Sequence, residues 1–513
     1  MQTKVQSALN YLIDGSEEPV SNRSMSDLFQ QLNAQQIIEL LESVSEEPQI
    51  FDEPESAQRL ERAIPYIAEA SRNLEFDGDV LLPLWRNAYS LSKRESNLRN
   101  GWLYWLAVIG TPQALQQWKE TMADEPPEFR SGIVWPFAPL LKNLHLTNAD
   151  LADILTRTMP YPQTAACAID LLNFRFREGL SIPHVAQPRV LELSNLMGRV
   201  AQQLGQVEEG NFPAGLSQSE IAQLVGDSVA LLISLCDLVA LCEFKEAEGK
   251  LRQVASLRHR RVQAEAYAAL ARLGFADGGE QLVALASEPS VRLRVLKYAQ
   301  ELGIEEKVDE KFRSTEGIVE SQMANWLAEP QQIGIAPSRV ELVDSRRQFW
   351  PGFNDPVDCH LVRFSYGIET QQFSNIGIVG PMIYAFENDV SGLSLDDLYA
   401  AYAGWQVVHQ DLFEISLDEA YRTRGRDLER QILRLEEDDF QNVRPQFVAH
   451  FFGEWLLIAA AELHGNSGTA IVDNQTVTWF IDNGADSSPQ FAYLVYRGGR
   501  LLKMFNEQAE KEV

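Results

Sequence analysis

This chain of 513 residues carries 73 acidic and 44 basic side chains, giving a formal net charge of −29. Such a charge repels nucleic-acid phosphates and anionic lipid, so it argues against nucleic acid and membranes as partners, whereas a basic protein partner is compatible with it. The four cysteines form no CxxC pair, which excludes a zinc ribbon and a disulfide framework and favours reduced thiols in a cytoplasmic protein.

Residues 1–75 are predicted to form a polar helical N-terminal segment. They contain no long apolar core of the kind found in a signal peptide, and the apolar residues at 37–41 follow a helical pattern. The acidic, proline-containing stretch SEEPQIFDEPES at 45–56 is predicted to be a loop. The longest apolar run that we identify elsewhere, at 455–461, is too short to cross a bilayer, so we expect no membrane attachment.

A repeat of two helices gives the clearest pattern, inside a predicted helical-repeat region at 76–330. RRVQAEAYAALARLGF and PSVRLRVLKYAQELGI match at an offset of 29 residues, from position 260 to position 289. Their apolar residues fall on one helical face in each segment: Val262, Ala266, Ala269, Leu270 and Leu273, then Val291, Val295, Tyr298, Ala299 and Leu302. Each helix is predicted to end at a glycine, Gly274 or Gly303. GFADGGE between them is predicted as a turn and QLVALASE as a helix, and this period is typical of a helical solenoid.

A third copy of the pattern lies upstream, in LRNGWLYWLAVIG. Its matching positions are Leu98, Trp102, Trp105, Leu106 and Ile109, followed by Gly110. The next segment, TPQALQQWKETMADEP, supplies a partner helix, and AACAIDLLNFRF from Ala165 is a more degenerate candidate unit. Three agreeing copies make a chance match a poor explanation.

These segments resemble HEAT-repeat proteins of bacteria. VRLRVLKYAQELG is similar to the second helix of a HEAT hairpin. The stretches VELVDSRRQFWPGFNDPVDCHLVRFSYGI, FSNIGIVGPMIYAF and LDDLYAAYAGWQ resemble a segment appended to uncharacterised bacterial HEAT-repeat proteins. The resemblance covers roughly residues 245–415. It implies an interaction scaffold and no particular chemistry.

The last third of the chain, residues 331–513, is predicted to be a smaller α+β domain. CHLVRFSYGI and FSNIGIVGPMIYAF are predicted as two strands, and a helix is expected to start at Ser394. Residues 418–438 are predicted as a charged helix. Two hairpins are predicted near the end, around Asn474 and around Gly498 and Gly499. The fold class is therefore mostly α, a HEAT-like helical-hairpin (α-solenoid) array followed by this domain.

Cys359 is the main candidate for a catalytic nucleophile, within PVDCHLVRF. Its neighbour His360 would point to the opposite face of a strand, so a base would have to come from elsewhere, from His409, His450 or His464. A buried cysteine that simply packs is the favoured interpretation. An enzyme with a site in the C-terminal domain is kept as an alternative function.

Metal and phosphate motifs are weak. His450 and Glu454 would share a face if residues 447–461 formed one helix, but no HExxH pattern is present. The same run is also consistent with a strand, where the two would lie roughly 13 Å apart, too far to hold one ion. NIGIVGP lacks the glycine spacing of a phosphate-binding loop, and a strand with a closely packed backbone is favoured. We therefore predict no catalytic residues, no cofactor, and no tightly bound zinc, iron or manganese.

Arginines supply the one candidate binding patch: Arg258, Arg260, Arg261, Arg292 and Arg294. In a solenoid such positions could form a basic ridge that grips an acidic segment of a partner, or nucleic acid as a further alternative. A solvated, salt-bridged face explains the same residues more simply. The sequence thus predicts a non-enzymatic, cytoplasmic scaffold or adaptor that binds an unidentified protein through its helical-repeat surface.

Overall fold

A computed structural model of the chain divides it into two compact units. The first comprises Met1–Leu285 with Tyr298–Glu305, and the second Ala286–Lys297 with Glu306–Val513. The structure describes residues 4–15, 28–129, 132–212, 215–329, 331–348, 350, 353, 355–368, 371–384, 395, 398–399, 402–403, 413–451, 454–472 and 477–481. The chain is mostly α-helical, with two antiparallel sheets towards its C-terminus, which confirms the predicted fold class.

Helices make up the first unit. In chain order they are α1 Lys4–Asp14, α2 Ala34–Glu46, α3 Gln49–Asp52, α4 Pro54–Ser71, α5 Gly78–Leu91, α6 Leu98–Ile109, α7 Pro112–Asp124, α8 Asn148–Thr158, α9 Pro162–Arg177, α10 Val190–Glu208, α11 Gln218–Leu241, α12 Glu248–Ala255, α13 Arg260–Arg272, α14 Ala276–Ala284 and α15 Pro289–Glu301. The unit boundary falls within α15. Short 3₁₀ turns, such as Trp135–Leu140, join several of them.

Successive helices pair and stack in two layers. Within pairs, α8 packs on α9, α10 on α11 and α12 on α13. Between pairs, the second helices α9, α11 and α13 pack side by side, and the first helices α10 and α12 do the same. Such a stack is compatible with an α-solenoid, in which each pair contacts mainly its neighbours.

The predicted apolar faces are buried. All five apolar positions of α13 lie in the interior, and four of the five in α15 do so, with Leu302 half-buried. In α6 the two tryptophans and Leu98 and Leu106 are buried, and Ile109 is half-buried. Side-chain caps start many helices: Asn33, Thr147 and Ser217 each complete a capping box.

Four of the second helices end in the same hydrogen-bonded motif. Leu180, Phe244, Phe275 and Ile304 each donate a backbone N–H to the carbonyl five residues earlier. The residue before each of them, Gly179, Glu243, Gly274 or Gly303, has a positive φ. This is the Schellman pattern, which satisfies carbonyls left unpaired at a helix end. The predicted glycine ends at Gly110, Gly274 and Gly303 are confirmed.

Three sequence-based expectations about elements were wrong. The predicted loop at 45–56 contains α3 and the start of α4. The predicted turn GFADGGE is mostly the first half of α14, where a Cβ on Gly278 would meet Leu270 Cβ at 2.7 Å, so this glycine permits close helix packing. The expectation that 455–461 is the most extended apolar stretch overlooked α11, which among the described residues is long and apolar enough to cross a membrane; 56% of its most apolar window is buried, as in a core helix.

The second unit contains α16 Glu310–Arg313, α17 Thr315–Leu327 and a four-stranded antiparallel sheet. Its strands are β1 Arg339–Gln348, β2 Val357–Ile368, β3 Gln371–Val379 and β4 Ile383–Tyr384, in the order β1-β2-β3-β4. Val319, Met323 and Leu327 of α17 pack on Val362 and Phe364 of β2. The strand predicted for CHLVRFSYGI lies in β2, as expected. The single strand predicted for FSNIGIVGPMIYAF is instead divided, in its described residues, into β3, which pairs with β2, and β4, which pairs with β3.

A second, five-stranded sheet follows in the order β5-β6-β7-β8-β9. It consists of β5 Phe413–Ile415, β6 Gln441–Phe451, β7 Glu454–Leu463, β8 Asn466–Val472 and β9 Val477–Ile481. The charged helix predicted at 418–438 is α18 Leu417–Glu437, which packs against β6. β8 and β9 pair from Val472 and Val477, as predicted for the hairpin around Asn474. The helix start at Ser394 and the hairpin at Gly498 and Gly499 lie outside the described residues. The predicted junction at 330/331 falls between α17 and β1.

Candidate functional site

The predicted arginine patch has mixed surroundings. Arg258, Arg260 and Arg261 are exposed at the start of α13. Arg258 donates from its guanidinium to the Glu208 carbonyl at 3.3 Å, and its backbone N–H donates to the Glu208 carboxylate at 2.7 Å. Arg260 donates to Gln263 at 2.9 Å. Arg258 and Arg260 therefore present cations that already have partners on their own unit.

Arg292 does not belong to an exposed patch, and its inclusion was wrong. Its side chain is only 2% exposed and donates to the carbonyls of Ala286 at 2.8 Å and Gly317 at 2.7 Å. It also pairs with Glu320 at 2.7 Å and lies over the ring of Phe312. In the sequence, the buried face of α15 is marked by the apolar residues Val291 and Val295, and this pattern does not indicate that Arg292 is buried with them. Arg294 is half-buried on the same helix.

The candidate nucleophile Cys359 lies in the interior on β2. Burial raises the pKa of its thiol to about 12, which holds it in the protonated, weakly nucleophilic form. Its neighbour His360 bonds through Nδ1 to the Ser345 hydroxyl at 2.8 Å. His409 lies outside the described residues. This environment is that of a packed structural cysteine.

The proposed metal half-site is not built as expected. His450 is on β6 and Glu454 on β7, so residues 447–461 form neither one helix nor one strand. Among the residues that the structure describes, no group of three or more His, Cys, Asp or Glu side chains could hold a metal ion. Gly377 of NIGIVGP lies within β3, where a Cβ would meet the Ile383 carbonyl at 2.9 Å, so the closely packed strand is confirmed.

A cleft of about 640 Å³ opens in the first unit, between the ends of four helices. It is walled by residues before α6, after α7, at the start of α9 and in the first half of α11. The lining includes Arg94, Glu95, Arg99, Asp124, Glu125, Glu128, Tyr161, Gln163, Gln223 and Asp227. Among the lining residues that the structure describes, five side chains are acidic and two are basic, so this part of the wall is more negative than positive.

Both arginines of the cleft are engaged by its carboxylates. Arg99 is buried, donates to the Ser92 carbonyl at 3.0 Å, lies over the Tyr89 ring and approaches Glu125 at 3.8 Å. The Tyr89 hydroxyl donates to the Glu125 carbonyl at 2.6 Å. Arg94 pairs with Glu128 at 3.7 Å. These contacts hold the segment after α7 in place and leave the exposed Glu95 and Asp124 as surplus negative charge.

A second, smaller depression of about 360 Å³ adjoins the cleft. Asp124 and Glu125 line both, and Trp85, Arg86, Tyr89, Gln117 and Glu120 are among the residues that line the smaller one, where Arg86 donates to Gln117. The Trp85 and Tyr89 rings stack with centroids 5.1 Å apart. The end of α7 thus carries carboxylates that face two adjoining depressions, a surface suited to an extended cationic segment.

A row of alternating charges runs across the second helices, beyond the cleft. We call Arg177, Asp237, Arg272 and Glu301 the charge row; they lie on α9, α11, α13 and α15. Asp237 pairs with Arg177 and, at 3.2 Å, with Arg272, which in turn pairs with Glu301 at 2.7 Å. Asn173 donates to Asp237 at 3.0 Å. Each ion pair links one helix of the stack to the next.

Two further acids flank the charge row. Glu265 is buried and accepts from the Tyr298 hydroxyl at 2.6 Å. Asp170 reaches solvent, yet desolvation by the surrounding protein, together with the charges of Asp237 and Glu265, raises its pKa to about 6. The nearby Ser234 side chain opposes that shift; its hydroxyl donates to the Ala230 carbonyl at 3.1 Å.

Sequence reasoning missed both the cleft and the charge row. The cleft is built from residues far apart in the chain, which no short motif connects. A signal for the row did exist: the offset between Gly179 and Gly274 aligns Arg177 with Arg272 and Asp170 with Glu265. If the degenerate unit at 165–176 is aligned with α13 through the glycines that follow the two helices, these charged residues fall on equivalent helical turns.

No protein-family model and no curated protein matches this chain in sequence.

Proposed function

We propose that this protein is a non-enzymatic scaffold whose helical unit binds a basic segment of another protein. The observation that carries the proposal is the cleft between α6, α7, α9 and α11, with five carboxylates against two arginines. Lysine and arginine side chains of a partner would pair with Glu95 and Asp124, which are exposed at its wall.

Charge supports a cationic partner at two scales. The whole chain carries −29, so it attracts basic segments over distances of about 8 Å at physiological salt. At the cleft, Arg99 and Tyr89 also hold the backbone after α7 in place through Glu125, which lowers the conformational entropy that this segment loses on binding. An acidic partner gripped by the arginine patch is a weaker proposal, since Arg292 is buried.

The proposal is tested with a fluorescein-labelled Lys/Arg-rich peptide titrated with the protein and followed by fluorescence anisotropy. We expect saturable binding that weakens as salt is raised, because exposed ion pairs are screened. The double variant Glu95→Gln/Asp124→Asn should bind about tenfold more weakly, at roughly 0.7 kcal/mol per lost pair.

The matched control is Glu42→Gln/Glu46→Gln, which removes the same charge from exposed positions of α2. It should bind the peptide as the wild type does. Equal weakening in both double variants would mean that only net charge matters and that the cleft is not the site. An acidic peptide and duplex DNA serve as alternative ligands; preferential binding of either would also contradict the proposal.

A further inference from the structure

One arrangement of side chains holds an arginine at three places in the described part of this chain. A tyrosine ring covers the guanidinium, whose carbon lies 4.7–4.9 Å from the ring centroid, and a carboxylate approaches the same guanidinium. The three sets are Arg99 with Tyr89 and Glu125, Arg272 with Tyr298 and Glu301, and Arg346 with Tyr399 and Asp344. The arrangement suits a planar guanidinium, because its flat face stacks on the ring while the N–H groups at its edge donate to the carboxylate.

The wall of the cleft presents a tyrosine as well as carboxylates. Tyr161 lines the cleft and is 39% exposed. Pro162 follows it and opens α9, which keeps the backbone of Tyr161 extended at φ −116° and ψ 111°. Its N–H donates to the Thr158 carbonyl at 3.1 Å, and its own carbonyl accepts from Ala165 at 2.9 Å and from Thr164 at 3.0 Å. The ring therefore projects from a fixed point, and few rotatable bonds are ordered when it binds a ligand.

The register of α9 and α11 brings a carboxylate to the level of this tyrosine. Asn173 of α9 donates to Asp237 of α11 at 3.0 Å. Ten residues earlier in both helices are Gln163 and Asp227, which both line the cleft, so the two helices run parallel and in register. Asp227 therefore lies level with the first turn of α9, which directly follows Tyr161. The cleft thus has two of the three members of the internal arrangement, the tyrosine and the carboxylate.

We propose that Tyr161 is a specificity-determining residue of the cleft, which makes the helical unit prefer arginine to lysine in the basic segment that it binds. The inference rests on the proposed function of the cleft. An arginine of the partner lies flat on the Tyr161 ring and donates to a carboxylate of the wall such as Asp227. A carboxylate can hold several donors at once, as Asp237 does with two arginines and an asparagine. A lysine ammonium is a compact, strongly hydrated charge, so it pairs with the carboxylate but gains less from the ring.

The experiment uses two fluorescein-labelled peptides of equal length and charge, whose basic residues are all arginine in one and all lysine in the other. Their affinities for the full-length protein are measured by fluorescence anisotropy at pH 7.5, and the ratio of the two affinities is compared between variants. We expect the wild type to bind the arginine peptide about fivefold more tightly, through ring and carboxylate together. In Tyr161→Leu this ratio should fall about threefold, the effect of a cation–π contact at an exposed site. Equal affinities in the wild type, or an unchanged ratio in Tyr161→Leu, would overturn the inference.

Two further variants separate the aromatic ring from a general loss of structure. Tyr161→Phe keeps the aromatic face and should keep the ratio, and a threefold fall in this variant would also contradict the inference. Tyr421→Leu makes the matched substitution at an exposed tyrosine of α18 and should keep the wild-type ratio. Because both peptides are measured on the same variant, a smaller folded fraction cancels from the ratio. Failure of the proposed function gives a different result: the wild type would then bind neither peptide, or Glu95→Gln/Asp124→Asn would bind both unchanged.

Discussion

Arg175 and Arg292 lie inside this protein, and each satisfies several backbone carbonyls there. Arg175 donates to the carbonyls of Leu140, Leu141 and Asn143 and so fixes the chain between the 3₁₀ turn and α8. Arg292 does the same between α15 and α17. A guanidinium offers five N–H donors in a planar fork, which suits it to several carbonyls at once. Sequence alone identifies these residues as surface charges, because burial of an arginine depends on partners distant in the chain.

Replacing Arg292 by methionine should cost about 3–5 kcal/mol of unfolding free energy in the second unit, because Glu320 and two carbonyls would lose a buried partner. Urea denaturation followed by circular dichroism measures the loss.

The matched variant is Arg260→Met, at an exposed position where the change should stay within about 0.5 kcal/mol. Equal stability of the two variants would show that Arg292 does not hold the two helices together.

At the scale of elements, the same C-terminal motif ends several of the second helices, which explains why the helical repeat could be predicted from the sequence. Apolar residues at helical spacing and a terminal glycine are local features, so the sequence predicts α6, α13 and α15 correctly. The turn predicted at GFADGGE failed because glycine also permits close helix contact, as at Gly278. The helical or single-strand interpretation of 447–461 failed because short apolar runs are ambiguous.

Substitution of glycine by alanine is predicted to have opposite effects on stability at a helix end and in a helix interior. Gly274→Ala should lower stability by about 1 kcal/mol, since φ is +91° there and no atom lies within 4 Å of an added Cβ to offset or worsen the strain.

Gly226→Ala, in the helical interior of α11 with open space around it, should instead raise stability by about 0.5–1 kcal/mol. Thermal unfolding of both variants measures the contrast. A loss of stability in Gly226→Ala, or none in Gly274→Ala, would contradict the conformational argument.

On the scale of the whole molecule, the first unit is discontinuous in sequence, because it consists of Met1–Leu285 and of a later segment, Tyr298–Glu305. Tyr298–Glu305 belong to it, through the bond of Tyr298 to Glu265 and the ion pair of Glu301 with Arg272. Composition predicts the acidic character, which is a sum over many residues, and local apolar patterns predict the change from helices to strands. The unit boundary within α15 and the cleft depend on tertiary contacts that such sums do not contain.

A fragment of residues 1–305 should therefore unfold at a temperature about 5 °C or more above that of a fragment of residues 1–285, because the shorter one lacks the end of α15 that packs on α13. Differential scanning calorimetry compares the two. Equal midpoints would mean that Tyr298–Glu305 add nothing to the first unit.

The tryptophans buried in α5, α6 and α7 form a cluster of intrinsic fluorophores. Trp85, Trp102, Trp105 and Trp118 are shielded from water, and the rings of Trp102 and Trp105 lie 5.8 Å apart. Trp85, Trp102 and Trp105 each donate Nε1–H to a fixed acceptor: the Trp102 carbonyl, Ser92 and Ser71. Rings this close exchange excitation energy and emit at short wavelength in an apolar setting. The wall of the cleft thus lies beside a natural fluorophore cluster, whose emission reports whether these helices stay closed around their neighbours.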